Sequence, residues 1–258
     1  MMCFISMAQD WRQHMSRVEE HIMKSEVLGT DRAYTVYLPA EYDIHTERTY
    51  PVLYLLHGMD DTNEGWYERG HVKEVMDQLT ASGEVCEMII VTPGAGGSVR
   101  EGKWNGYFDM KGWHYEEFFF TEFLPTIEKE YRIKADKQHR AIAGLSMGGF
   151  HTLFISTNHP TLFDYIGMFS AGINFKSVNM ELPAYVDLDG KLKNLHEVGY
   201  KLFWIACGDT DFLYEANKDF LKRLDTLKVP YEYNESSRGH LWANWRQYML
   251  KFVPKLFK

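Results

Sequence analysis

The stretch Gly144-Leu145-Ser146-Met147-Gly148 places a serine in the pattern GxSxG, a residue type and spacing that could do covalent chemistry. In that pattern a strand turns sharply into a helix and lifts the serine hydroxyl out of the turn. The pattern alone is weak, since with Gly and Ser each near ~7% of residues about one chain in ten of this length would contain it by chance. Its context is stronger. Ala141-Ile142-Ala143 supplies an apolar strand before the motif and Gly149 to Ile155 an apolar, helix-like run after it. Small residues at Gly144, Gly148 and Gly149 let that strand and helix approach within the turn. Ser146 is therefore read as a nucleophile.

A serine hydroxyl attacks a carbonyl at neutral pH only if a base takes its proton and an anion holds that base in the right tautomer. Around a GxSxG turn the chain order is Ser, acid, His. The apolar run Lys201 to Cys207 reads as a strand and is followed by Gly208-Asp209-Thr210-Asp211, so two carboxylates compete. Asp211 is preferred because the loop needs a few residues beyond the strand to reach across, whereas Asp209 can cap the loop or the next helix. His240, between the last expected strand and a terminal helix, is the candidate base. His151 and His159 fall on the helix after Ser146, and His196 precedes the acid. An oxyanion needs two backbone N–H donors, one from the residue after the nucleophile and one from a loop after an earlier strand. Met147 is the first. The second is Met59, since Gly58 lets the loop His57-Gly58-Met59 turn its amide inward, with His57 hydrogen-bonding inside the loop.

These residues need a scaffold. Apolar, β-branched runs at Ala33 to Leu38, Val52 to Leu56, Met88 to Thr92, Ala141 to Gly144, Tyr165 to Phe169, Leu202 to Ala206 and Tyr231 to Asn234 read as strands. Between them, Glu116 to Tyr131 repeats Phe120, Phe123, Leu124, Ile127 and Tyr131 at helical steps, and Tyr214 to Leu227 does the same with Phe220, Leu221, Leu224 and Leu227. A further helix follows Gly148. Apolar strands alternating with amphipathic helices predict an α/β fold with a mostly parallel sheet covered on both faces. Pro93 to Tyr115 and Gly172 to Gly199 read as long loops leaving strand ends, where ligands bind in such sheets.

Composition narrows the classes. The chain of 258 residues has 45% hydrophobic and 25% charged residues, as soluble globular proteins do, and its length suits one α/β domain. A net charge of -8 without a dense Lys/Arg run gives no basic face for nucleic acid or an anionic membrane surface. No apolar run approaches the roughly 18 residues of a spanning helix. Residues 1–20 form an N-terminal segment before a domain spanning 21–258. Met1 to Ala8 is apolar and ends in a small residue, so it reads either as a frayed terminus or as the remnant of a secretory signal. A secreted or periplasmic location follows from the second reading, a cytoplasmic one from the first. Cys3, Cys86 and Cys207 are an odd number at wide spacing, which gives neither a disulfide framework nor a metal pair, and Cys86 and Cys207 are expected to be buried thiols.

Taken together, Val36-Tyr37-Leu38-Pro39, Leu55-Leu56-His57-Gly58-Met59, Gly144 to Gly149, Cys207 to Leu213 and Gly239-His240 resemble carbohydrate esterase family one. That family of the α/β-hydrolase superfamily contains feruloyl and acetylxylan esterases and is related to esterase D and the mycolyl transferases. The resemblance spans roughly Ser25 to Trp245. It implies an α/β-hydrolase domain with Ser146, Asp211 and His240 as triad, and neither metal nor cofactor. It also strengthens the choice of Asp211, whose place before Phe212-Leu213 looks like the family's acid position. One departure is Asp60-Asp61, where relatives often carry further glycines after the oxyanion loop. The expected substrate is a small-molecule or polysaccharide ester, bound against aromatic side chains, with Trp66, Trp104 and Trp242 as the best candidates. Two alternatives stand beside this reading: a small acyl or thioester hydrolase resembling S-formylglutathione hydrolase, and a non-catalytic binding module on the same scaffold.

Overall fold

The computed structural model describes residues 14–59, 61–95, 114–173, 181 and 183–258. Eight strands form one sheet in the order β1-β2-β4-β3-β5-β6-β7-β8. They are β1 (Arg17–Ser25), β2 (Thr30–Leu38), β3 (Val52–Leu56), β4 (Ile89–Pro93), β5 (Arg140–Leu145), β6 (Tyr165–Phe169), β7 (Leu202–Gly208) and β8 (Glu232–Ser236). From β4 to β8 every neighbouring pair is parallel, while β2 runs antiparallel to both β1 and β4.

The central strands are apolar on both sides because both faces are covered. In β3, Val52, Tyr54 and Leu56 pack into one buried cluster and Leu53 and Leu55 into the other. The first cluster is closed by α3 (His114–Phe118), α4 (Leu124–Glu130), α5 (Met147–Asn158), α6 (Leu188–Val198) and α7 (Tyr214–Leu227). The second is closed by α2 (Val72–Ala81) and α8 (Trp242–Phe252), with Trp66 of the short α1 (Gly65–Glu68) between them. The α/β fold class, the seven expected strands and the helix Tyr214–Leu227 stand as read from the sequence.

Four features differ from that reading. Strand β1 lies at the sheet edge, where its residues alternate between exposed and half-buried, so no apolar run marks it. It begins at Arg17, so residues 17–20, assigned above to an N-terminal segment, belong to the sheet. The helix expected over Glu116 to Tyr131 starts at His114 and contains a π-helical turn, Phe119–Phe123, between α3 and α4. A π turn advances less per residue than an α turn. The buried apolar residues of this stretch are Tyr115, Phe118, Phe119, Phe123, Leu124 and Ile127, while Phe120 and Tyr131 are only half-buried. The expected loop Gly172 to Gly199 holds α6, whose Leu188, Leu192 and Leu195 face the core. Asp187 caps it by accepting a 3.1 Å hydrogen bond from the Gly190 N–H, and a side chain on Gly190 would run into that carboxylate. The glycine that breaks the helical pattern in sequence is what admits the cap. Finally, Cys207 is buried but Cys86, in the turn before β4, is exposed. Cys3 and most of Pro93 to Tyr115 lie outside the described residues.

The chain leaves β3 toward β4 on one side and then crosses to β5 on the other. Strand order reverses at that point, and a crevice opens beyond the carboxyl ends of β3 and β5.

Candidate active site

Ser146 sits in that crevice between β5 and α5, with φ 52° and ψ −115°. A non-glycine residue at positive φ costs about 1–3 kcal/mol and persists only where its surroundings enforce it. Here the Ser146 N–H donates to the Phe169 carbonyl at 2.9 Å, and the Ser146 carbonyl accepts from the Gly172 N–H at 2.9 Å. Close packing enforces the turn further. A Cβ on Gly148 would lie 2.5 Å from the carbonyl oxygens of both Leu56 and His57, so only glycine lets α5 start against the β3 loop.

His240 follows β8, and its ring Nδ1 lies 2.9 Å from Asp211 Oδ2 and 3.1 Å from Oδ1. Asp211 accepts only, so Nδ1 carries the proton and Nε2 turns the other way. His240 and Ser146 both line a single cavity of about 250 Å³. The carboxylate of Asp211 is inaccessible to solvent and also accepts from the Leu213 N–H at 2.9 Å. Burial by itself would raise its pKa. The hydrogen bonds from His240 and Leu213 and the attraction of the imidazole outweigh burial and hold the carboxyl below its ordinary range. Asp209 faces solvent, and its backbone N–H donates to the Ser236 carbonyl at 2.8 Å. Of the two competing carboxylates, the fold brings Asp211 to His240.

The two expected N–H donors lie on the β3 loop and at the start of α5. Met147 is the first residue of α5, where no intrahelical acceptor exists for its N–H and the helix dipole is positive. Gly58 and Met59 line the same cavity as Ser146. Buried His57 accepts the Ala95 N–H on Nε2 at 3.0 Å and donates from Nδ1 to the Gly58 carbonyl at 2.8 Å. Burial lowers its pKa, with the Gly58 carbonyl and Asp61 acting the other way, which suits this neutral tautomer. In a trans peptide C=O and N–H point in opposite directions. Because His57 holds the Gly58 carbonyl, the Met59 N–H is directed away from His57. The sequence reading of His57 as a residue internal to the loop agrees with this geometry.

The three aromatic candidates separate. Trp242 is half-buried and lines the cavity, with the Arg69 guanidinium 5.2 Å from its ring centre. Trp66 does not line it: the side chain is fully buried, donates to the Leu56 carbonyl at 3.0 Å and packs edge-on behind Trp242. An indole inserted between sheet and helices supports the wall and is not part of it. Trp104 lies outside the described residues.

Several contributors carry no signal in the sequence. Asp61 and Arg69 form an ion pair on the cavity wall. Gly208 leaves space for the Arg238 carbonyl, and buried Asn244 donates to the Gly239 carbonyl at 3.0 Å, so both fix the loop that carries His240. Trp245 packs edge-on against the imidazole at 4.9 Å between ring centres. Such contacts join residues far apart in the chain, and only the closeness of Asp61 to the oxyanion loop hinted at one of them. Among the described residues no group of three or more His, Cys, Asp or Glu side chains is arranged to hold a metal, and no helix is long and apolar enough to cross a membrane.

A family model described as "Putative esterase" matches residues 25–256. An endo-1,4-beta-xylanase/feruloyl esterase of Xylanibacter ruminicola is 31% identical over 241 residues, covering 91% of this chain. The chain spans only 30% of that relative's length. The solved structure of a ferulic acid esterase is 42% identical, superposes with a TM-score of 0.84 and is covered over 97% of its length, against 93% of this chain. An S-formylglutathione hydrolase from Staphylococcus aureus shares the fold, with a TM-score of 0.78 at 20% identity, over 95% of this chain and 98% of that one.

Proposed function

This chain belongs to the esterase family whose model matches residues 25–256, and from that premise we propose that it is a serine hydrolase cleaving feruloyl esters of plant polysaccharide. The observation that carries the reading is one cavity lined by both Ser146 and His240, with the buried Asp211 carboxylate 2.9 Å behind the imidazole. In this reading Ser146 Oγ attacks the ester carbonyl while His240 Nε2 takes its proton. The N–H groups of Met59 and Met147 stabilise the oxyanion. His240 then gives the proton to the departing alcohol oxygen, leaving an acyl group on Ser146. Water attacks that acyl-enzyme by the same route, and the carboxylic acid leaves.

The choice of acyl group rests on two supports. The relatives with the highest identities quoted above are named feruloyl or ferulic acid esterases. The cavity of about 250 Å³ exceeds the ~150 Å³ that accommodates a benzene ring in a protein core, so it has room for an aromatic acyl group. The test compares kcat/KM for nitrophenyl ferulate and nitrophenyl acetate, which share a leaving group and so isolate the acyl half, with S-formylglutathione as a third substrate. A preference of ten-fold or more for the ferulate is expected. A preference for the acetate or for S-formylglutathione would overturn the assignment.

A further inference from the structure

The mechanism fixes where the alcohol half of the substrate lies. The proton that His240 returns goes to the leaving oxygen, so that oxygen sits against Nε2 and the alcohol extends from there. The cavity of about 250 Å³ is too small for a polysaccharide, so the sugar chain must extend beyond it. Two rings pack on the His240 imidazole. Trp245 is 6% exposed and belongs to the core, whereas Phe212 is 74% exposed with its ring centre 4.6 Å from that of His240. Leu241, on the other side of His240 in sequence, lines the cavity and is 52% exposed. A lone exposed apolar residue needs no explanation, but here both adjoin His240, Phe212 through its ring contact and Leu241 as the next residue in the chain.

Resting on the feruloyl-ester reading, we propose that Phe212 is a specificity-determining residue, the platform on which the sugar ring of the leaving alcohol stacks. The exposed ring face offers a flat apolar surface to the C–H face of a pentose, and its contact with His240 sets that surface next to the bond being cleaved.

The experiment uses the full chain and two substrates with one acyl group: methyl ferulate, which has no sugar, and a feruloylated arabinoxylo-oligosaccharide. The readout is the ratio of their kcat/KM values, so an effect transmitted through His240 to both substrates cancels. In Phe212→Ala the ratio falls about ten-fold, mainly through a higher KM for the oligosaccharide, and Phe212→Tyr restores it. An unchanged ratio overturns the proposal, whether both values hold steady or fall together. The nitrophenyl ferulate and acetate comparison on the unsubstituted chain reads the acyl assignment separately: acetate preference there removes the feruloyl reading and this proposal with it, whereas ferulate preference with an unchanged ratio removes the platform alone.

Discussion

At the scale of single residues, the two aspartates after β7 differ in one physical respect: Asp211 is buried against an imidazole and Asp209 is in water. Replacing Asp211 by Asn removes the charge that fixes the His240 tautomer. In the serine-protease triad the corresponding change lowers kcat by about 10⁴. Asp211→Asn is expected to cost at least about a hundred-fold in kcat, while Asp209→Asn stays within about two-fold, both measured on one ester with matched thermal midpoints. The same carboxylate makes a pH prediction. Its folded pKa lies below the ordinary value of 3.8, so ionised Asp211 stabilises the fold. That contribution is fully present above 3.8 and is lost as pH falls through the lower folded value. Thermal midpoints followed downward from pH 5 should fall less steeply in Asp211→Asn than in the unsubstituted chain. Equal slopes would show that the carboxylate's environment is not as described.

At the scale of elements, the nucleophile turn and its wall were legible in the sequence to different degrees. The strand, GxSxG and helix around Ser146 announce themselves locally, because glycine spacing and apolar runs are consequences of the turn itself. The wall does not. Trp66 and Trp242 both lie in the first turn of a helix, and nothing in their sequence neighbourhoods separates a core indole from a cavity indole. Only the fold does, placing Trp66 at 0% exposure behind Trp242. The consequence is measurable. Trp66→Ala leaves a cavity and takes the indole donor from the Leu56 carbonyl, and should destabilise the chain by about 3–5 kcal/mol in denaturant unfolding. Trp242→Ala, at a half-buried wall position, should cost much less stability and instead raise KM. The reverse pattern would contradict the placement of the two rings. Edge strand β1 and helix α6 were missed for a similar reason. The signal of β1 is diluted by solvent-facing residues on an edge, and the periodicity of α6 is interrupted by the Gly190 its cap requires.

At the scale of the whole molecule, the sheet brings together residues from four separate connections: after β3, β5, β7 and β8. Chain order marked Ser146, the pair Asp209 and Asp211, and His240, since the fold class fixes which strand ends meet; loop reach and the family resemblance then favoured Asp211. Chain order could not announce Asn244, Phe212 or the Asp61–Arg69 pair, whose roles depend on distances that only packing sets. In the proposed mechanism, catalysis is a property of the assembled site and runs through an acyl-enzyme on Ser146. The most direct test is kcat/KM for methyl ferulate in the unsubstituted chain and in Ser146→Ala, with thermal midpoints matched. Hydrolysis by the unsubstituted chain and a loss on the order of 10⁵-fold in the variant are expected, because the remaining groups cannot form the covalent intermediate. A Ser146→Ala protein that keeps its turnover within ten-fold would contradict that mechanism.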